Sequence, residues 1–310
     1  TKKSLLGVEY KMPVALAPVG SLGMQRADGE ILAAQAAEGF GVPFTLSTMS
    51  ICSIEEVARN TSKPFWFQLY VMRDHDFAKR LVERAKAAQC SALVLTLDLQ
   101  ILGQRHADIR NGLSIPLKIK LSNLFDLLSK PSWCYQMART KNRTFGNVMG
   151  HVKDITNLNS LTKWVQDQFD TRLNWDDVKR IKDWWGGKLI IKGIMDPDDA
   201  KMAQKCGAYA LVVSNHGGRQ LDGVNSSIST LPEIKKAVSN MEVLMDGGIS
   251  SGQDILKAIA MGAAGVMIGR SFVYGLSAGG KEGVTKSLEI LNKELDMTMA
   301  LCGRRDIKDV

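Results

Sequence analysis

No run of 18 or more apolar residues occurs in the chain, so nothing in it reads as a membrane-spanning helix. A secretory leader is not visible either, and the sequence does not open on Met, so a preceding segment is expected to be missing. Cysteine is sparse and odd in number: five residues with no C-x-x-C pair point to free thiols in a reducing compartment. No metal-ligand set is expected. The first apolar run is not followed by a G-x-G-x-x-G turn, which argues against a Rossmann dinucleotide domain. The net charge of +8 is not gathered into one long basic tract, so nucleic acid is the weakest of the anionic partners it allows. An anionic substrate or an anionic membrane surface fits it better. Hydrophobic content of 45% and charged content of 23% exclude disorder, and 310 residues suffice for one large barrel or two ordinary domains.

What is present is a series of short apolar runs, each followed by a helical pattern. Met12–Ala17 ends at Pro18-Val19-Gly20, and a helix over Gly29–Gly39 is closed by Gly41. Val42–Leu46 ends at Ser47-Thr48, and Ser53-Ile54-Glu55-Glu56 opens the next helix with a capping pattern. Pro64–Phe67 ends at Gln68-Leu69-Tyr70 and is followed by a helix over Asp76–Gln89. Ala92–Leu95 ends at Thr96-Leu97-Asp98. The repeat then stops for an insertion of about residues 99–170. It resumes with a helix over Trp175–Trp185 and the run Lys188–Ile191, ending at Lys192-Gly193. Pro197 stands at a helix start after Asp196. The last three runs are Tyr209–Val213, Val243–Met245 and Gly265–Ile268, and a final amphipathic helix covers Gly283–Leu301.

The sixth run ends in Ser214-Asn215-His216-Gly217-Gly218-Arg219-Gln220-Leu221-Asp222. This places a titratable ring and a guanidinium beside two glycines that let the backbone turn tightly. Histidine suits proton transfer near neutral pH and arginine suits an anion, so the stretch reads as proton chemistry next to a carboxylate or phosphate. Eight strand–helix units, each ending in groups that bind or react, fit a (β/α)₈ barrel with its site at the C-terminal rim. A doubly wound open sheet is the structural alternative. The whole chain, 1–310, is expected to form a single domain.

Ser-Asn-His-Gly-Gly-Arg-Gln-Leu-Asp, taken with Phe67-Gln68-Leu69-Tyr70, Leu95-Thr96-Leu97-Asp98, Ile191-Lys192-Gly193 and Ile268-Gly269-Arg270 in this order, closely resembles the FMN-dependent α-hydroxy acid oxidases and dehydrogenases. The likeness covers about residues 10–308 and is greatest to the bacterial L-lactate and mandelate dehydrogenases. It implies a TIM barrel, FMN as cofactor, and oxidation of an L-2-hydroxy acid, with L-lactate foremost, to the 2-oxo acid. The electrons would pass to a membrane quinone or the respiratory chain. An oxidase that uses oxygen and a truncated, non-catalytic FMN-binding protein are the alternatives. Gly20, where many oxidases have Ala, leans toward the dehydrogenase.

The resemblance also assigns roles. His216 would be the base, leaving open whether it takes the proton from carbon or oxygen, and Asp98 would orient its ring and stabilise its charged form. Arg219 and Arg105 would grip the substrate carboxylate, and Tyr70 would donate a hydrogen bond to the substrate. Lys192 would stand by the pyrimidine edge of the flavin. Pro18, Val19, Gly20, Ser47, Gln68, Thr96 and Ser214 would contact the flavin, and Asp246 the ribityl hydroxyls. Gly247, Gly248, Gly269 and Arg270 would cradle the phosphate. The resemblance implies a homo-oligomer, since tetramers are common in the family.

Three departures stand out. Ser250 occupies a position where the family usually has a phosphate-binding Arg. The N-terminal helical segment of the family, with a Tyr that touches the substrate carboxylate, is not in the sequence. Met49 stands where plant glycolate oxidases have a Trp. Within the insertion, Leu121–Leu128 is apolar at helical spacing, and Lys118, Lys120, Lys130, Arg139, Lys141 and Arg143 flank it, with Trp133 and Tyr135 between. Such a segment suits an anionic membrane surface. A lid packed on the barrel is the other reading of it. In the dehydrogenases the region is a membrane attachment, which implies a peripheral protein on the cytoplasmic side of the inner membrane, with a soluble cytoplasmic protein as the alternative.

Overall fold

The computed structural model describes residues 1–101, 128–152 and 171–310, with residues 103, 106, 110, 111, 164, 167 and 168. Strands β3 (Val14–Leu16), β4 (Thr45–Ser47), β5 (Trp66–Tyr70), β6 (Ala92–Thr96), β7 (Leu189–Ile194), β8 (Ala210–Val213), β9 (Glu242–Asp246) and β10 (Gly265–Ile268) form one parallel sheet in the order β3-β10-β9-β8-β7-β6-β5-β4. The two edges meet: the Leu16 N–H donates to the Pro43 carbonyl at 2.9 Å, and Leu16 bridges Phe44. The fold is therefore a closed (β/α)₈ barrel and not an open doubly wound sheet.

The described helices are α1 (Leu22–Gln25), α2 (Gly29–Phe40), α3 (Ile54–Arg59), α4 (His75–Ala87), α5 (Pro131–Arg139), α6 (Trp175–Trp185), α7 (Pro197–Lys205), α8 (Ser227–Ala237), α9 (Gly252–Ala260) and α10 (Arg270–Leu301). Their starts follow the local chemistry. Ser53 and Glu56 form a capping box on α3, Asp196 caps α7 ahead of Pro197, and Gly41 closes α2 at φ 93°. The expected third strand, Pro64–Phe67, begins later and runs to Tyr70. The expected last helix is longer at its start, because α10 begins at Arg270 and breaks at Gly280, where φ is 61° and ψ −136°. A hairpin not read from the sequence, β1 (Lys3–Leu5) and β2 (Val8–Tyr10), precedes the barrel. Its turn residue Leu6 packs with the barrel-interior residues, its N–H held by Glu242 at 2.9 Å and its carbonyl by Lys188 at 2.6 Å.

Strand alternation divides the core in two. One set of side chains faces the helices, for example Leu93, Leu95, Leu211, Val213, Val243 and Met245. The other fills the barrel: Ala15, Trp66, Val94, Ile190, Val212, Leu244 and Met267. Two residues further along in β5 to β9, the inward position belongs to Gln68, Thr96, Lys192, Ser214 and Asp246. The period of two thus converts an apolar barrel interior into a polar layer at its C-terminal mouth.

Candidate active site

Lys192 and Asp246 of that polar layer line a cavity of about 1050 Å³ at the mouth of the barrel. Pro18, Val19, Gly20, Ser47, Tyr70, Lys192, His216, Arg219, Asp246, Gly247, Gly248, Gly269 and Arg270 all line it. Gln68, Thr96 and Ser214 do not line it; they are buried, and Gln68 and Ser214 are hydrogen-bonded to the lining residues Ser47 and Lys192. The Gln68 side-chain amide donates to the Thr96 hydroxyl at 3.1 Å and accepts from the Ser47 hydroxyl at 3.3 Å, which fixes three neighbouring strand ends. Arg105 lies outside the described residues.

His216 sits in the left-handed region at φ 57°, followed by Gly217 and Gly218 at φ 68° and 70°. A non-glycine residue there stores roughly 1 kcal/mol, so the turn needs clamps. Two are present. The His216 N–H donates to Ser214 Oγ at 3.1 Å, and Asn215 Oδ1 accepts the Gly218 N–H at 3.1 Å. The ring is then turned so that Nδ1 lies 2.9 Å from Asp98 Oδ1. With Nδ1 engaged, Nε2 is the nitrogen left for a substrate, the arrangement by which a carboxylate fixes the tautomer of a general base.

Lys192 is 4% exposed and its Nζ lies 3.0 Å from Ser214 Oγ and 3.2 Å from Asp246 Oδ2. Burial alone would lower its pKa; the carboxylates of Asp246 and Asp98 more than offset this, and the ammonium is held charged. Burial would raise the Asp98 carboxyl, but the Lys192 charge and the hydrogen bond from His216 bring it below its usual value. One oxygen of each buried carboxylate, Asp98 Oδ2 and Asp246 Oδ1, makes no hydrogen bond among the described residues. Arg270, the first residue of α10, lines the cavity together with Gly247 and Gly248, at φ 91° and 79°, so a helix start and a glycine turn both border it.

Several wall residues carried no sequence signal. Phe145, Trp164 and Gln168 come from the insertion and line the cavity. Gln168 is fixed because its side-chain oxygen accepts the Asp74 N–H at 3.0 Å and its carbonyl the Arg73 N–H at 3.1 Å; Trp164 meets Phe77 edge-on at 5.2 Å. Asn147, fully buried, accepts the Ile54 N–H at 2.9 Å and donates to Ser50 at 2.9 Å, tying the insertion to the loop after β4. These pairings join residues about a hundred positions apart, which no local pattern announces.

The chain matches the FMN-dependent dehydrogenase family over residues 1–310. It is 46% identical to an L-lactate dehydrogenase of Haemophilus influenzae (strain PittEE), over 100% of this chain and 82% of that protein. An L-lactate dehydrogenase of Caulobacter sp. (strain K31) is 45% identical over 98% of this chain and 80% of its own length. Among solved structures, the monotopic membrane protein (S)-mandelate dehydrogenase superposes with a TM-score of 0.93 at 34% identity, covering 99% of this chain and 81% of that one. A mandelate oxidase superposes at 0.83 with 35% identity, over 100% and 80%. With this barrel, this rim and these relatives, the chain belongs to the FMN-dependent dehydrogenase family.

Proposed function

We propose that the protein oxidises L-lactate to its 2-oxo acid and passes the electrons to a membrane quinone or the respiratory chain. The cofactor is FMN. The residues present suit it: a buried cation, a buried carboxylate oxygen without a partner among the described residues, and a glycine-lined helix start give donors and acceptors for a flavin ring, a polyol and a phosphate. Lys192, with Ser47, Gln68, Thr96 and Ser214 around it, would hold the ring, Asp246 the ribityl chain, and Gly247, Gly248, Gly269 and Arg270 the phosphate. Bound FMN supplies the two-electron acceptor for the α-carbon.

His216 takes a proton from the substrate. Asp98 keeps the ring in the tautomer that presents Nε2 and stabilises the imidazolium that forms. Arg219 and Tyr70, on the wall of the same cavity, hold the carboxylate and hydroxyl, and Arg105 is proposed to share the carboxylate. Lys192 keeps a positive charge at the floor, which favours a neighbour that becomes anionic. The observation that carries the reading is the 2.9 Å bond between Asp98 and His216, which lines the same cavity as a charged lysine.

Anaerobic addition of L-lactate should bleach the absorption of the bound flavin. His216→Asn should retain the flavin and slow bleaching on the order of 10²–10⁴-fold, the usual share of a general base. A variant rate within a few-fold of the parent would remove His216 from this role. Peroxide formed in air, at the rate of lactate consumption, would replace the quinone with oxygen as acceptor.

A further inference from the structure

We propose that Gly193 is a positioning residue for the proton-transfer pair, acting through a β-bulge that gives Asp98 its seat. The proposal rests on the reading of His216 as the base.

Strand β7 alternates regularly up to Lys192. Leu189 and Ile191 face the helices, while Ile190 and Lys192 face the barrel. A regular strand would then turn Ile194 inward. Ile194 instead packs with the helix-facing core. The register explains this: Lys192 pairs with Val212, but Ile194 pairs with Val213, so Gly193 is the extra residue of a bulge. Its φ of 99° is open to glycine and strained for a residue with a Cβ.

The space above the bulge is filled by Asp98. The Leu97 N–H donates to the Lys192 carbonyl at 2.9 Å, which brings the next residue, Asp98, directly over Gly193. A Cβ at residue 193 would stand 2.7 Å from Asp98 Cβ, 2.8 Å from its Cγ and 2.9 Å from its backbone nitrogen. None of these atoms is the free end of a flexible chain. Asp98 would have to leave its position, and the 2.9 Å bond to His216 would go with it. One glycine thus lets Lys192 point into the site, Ile194 return to the core, and the carboxylate lie flat on the strand beneath the histidine.

The test compares Gly193→Ala, Asp98→Gly and the double variant, all as holoproteins. Three measurements are taken: FMN affinity by fluorescence quenching, the limiting rate of flavin reduction, and its pH profile. Gly193→Ala should bind FMN within a few-fold of the parent and slow reduction on the order of 10²-fold. The acid limb of its pH profile should leave the parent's position and match that of Asp98→Gly. Tyr70, Lys192, Arg219 and Asp246 line the same cavity as His216 and are unchanged in the variant, so the movement isolates Asp98. In the Asp98→Gly background the alanine should add little to the loss of rate, and the strain of a Cβ at φ 99° should appear there as lost stability only. An unmoved acid limb, or losses that multiply in the double variant, overturns the proposal. Should Gly193→Ala fail to fold, the double variant decides: recovery of folded, FMN-binding protein supports the seat, and failure of both overturns it. His216→Asn run alongside separates the outcomes, because an undiminished rate there refutes the base itself and not the role of Gly193.

Discussion

Ser250 shows how much a single side chain can matter at the end of the cavity proposed to hold the phosphate. It lines the cavity, yet its N–H and hydroxyl both go to Asp254, at 3.0 and 3.1 Å, and Ser251 gives the same carboxylate two more bonds. Burial would raise the Asp254 carboxyl, but these donors bring it below its usual value. Ser250 therefore supplies the start of α9 and not a charge for the cavity, leaving Arg270 and the backbone N–H groups to meet an anion there. Ser250→Arg should tighten FMN by roughly tenfold to a hundredfold, the range for one charge-assisted hydrogen bond of about 1.5–3 kcal/mol. Titration of the apoprotein with FMN reads this directly. Equal affinities would mean that the existing donors already saturate the phosphate.

At the scale of elements, α3 and α4 are joined by Arg84, whose Nε and Nη2 donate to the two carboxylate oxygens of Glu55 at 2.7 and 2.8 Å. Its Nη1 reaches the Asn147 carbonyl at 3.0 Å, so the same guanidinium fastens the insertion to the barrel. The bonds from Arg84 outweigh burial and bring the Glu55 carboxyl down to about 2 from an ordinary 4.5. A carboxyl depressed by folding stabilises the protein above its unfolded value, and this stability is lost as pH falls through the folded value. The pair should contribute fully above pH 4.5 and fade toward about pH 2. Because Glu55 is 40% exposed, solvent screening keeps the contribution to about 1 kcal/mol. Urea unfolding of Glu55→Gln should show that deficit at neutral pH and a narrowing gap from about pH 5 to about pH 3; a constant gap would assign the loss to packing. The capping box at Ser53 was legible because it is local, and so were the strand ends, because period two and glycine punctuation are local. The Gly193 bulge was not: Ile191-Lys192-Gly193 reads as a strand simply ending, and only the register against β8 shows that it continues. The β1–β2 hairpin was hidden for another reason, since three-residue strands are too short for alternation to register.

For the molecule as a whole, the described residues of the insertion divide into some that line or border the site and some that face outward. Thr140, Asn142 and Asn147 are tied to the barrel: the first two donate to Asp28 at 2.7 and 2.8 Å, and Phe145, Trp164 and Gln168 line the cavity. The stretch before them is different. Helix α5 buries none of its residues, Leu128 and Tyr135 are 70% and 60% exposed, and Lys130, Arg139, Lys141 and Arg143 are exposed around them. Trp133 anchors the helix through one hydrogen bond to the Met24 carbonyl at 3.0 Å. Pro131 stands in its first turn, so whatever precedes it meets a helix boundary there. Lys118, Lys120 and Leu121–Leu127 lie outside the described residues. No helix among the described residues is long and apolar enough to cross a membrane. With a net charge of +8, this basic, apolar face fits a peripheral site on an anionic membrane, in keeping with the monotopic mandelate dehydrogenase that shares the fold. Each Lys or Arg near such a surface contributes about 1 kcal/mol, so binding should be reversible, stronger on anionic than on neutral lipid, and weakened by salt. Removing Leu121 to Arg139 and joining the ends with a short linker should release the protein into solution. The wall residues Phe145, Trp164 and Gln168 remain, so flavin reduction by L-lactate should continue near the parent rate. Co-sedimentation with anionic vesicles at low salt separates the two outcomes. A parent protein that stays in the supernatant, or a deletion that no longer reduces its flavin, would make the whole insertion a lid and remove the membrane from the account.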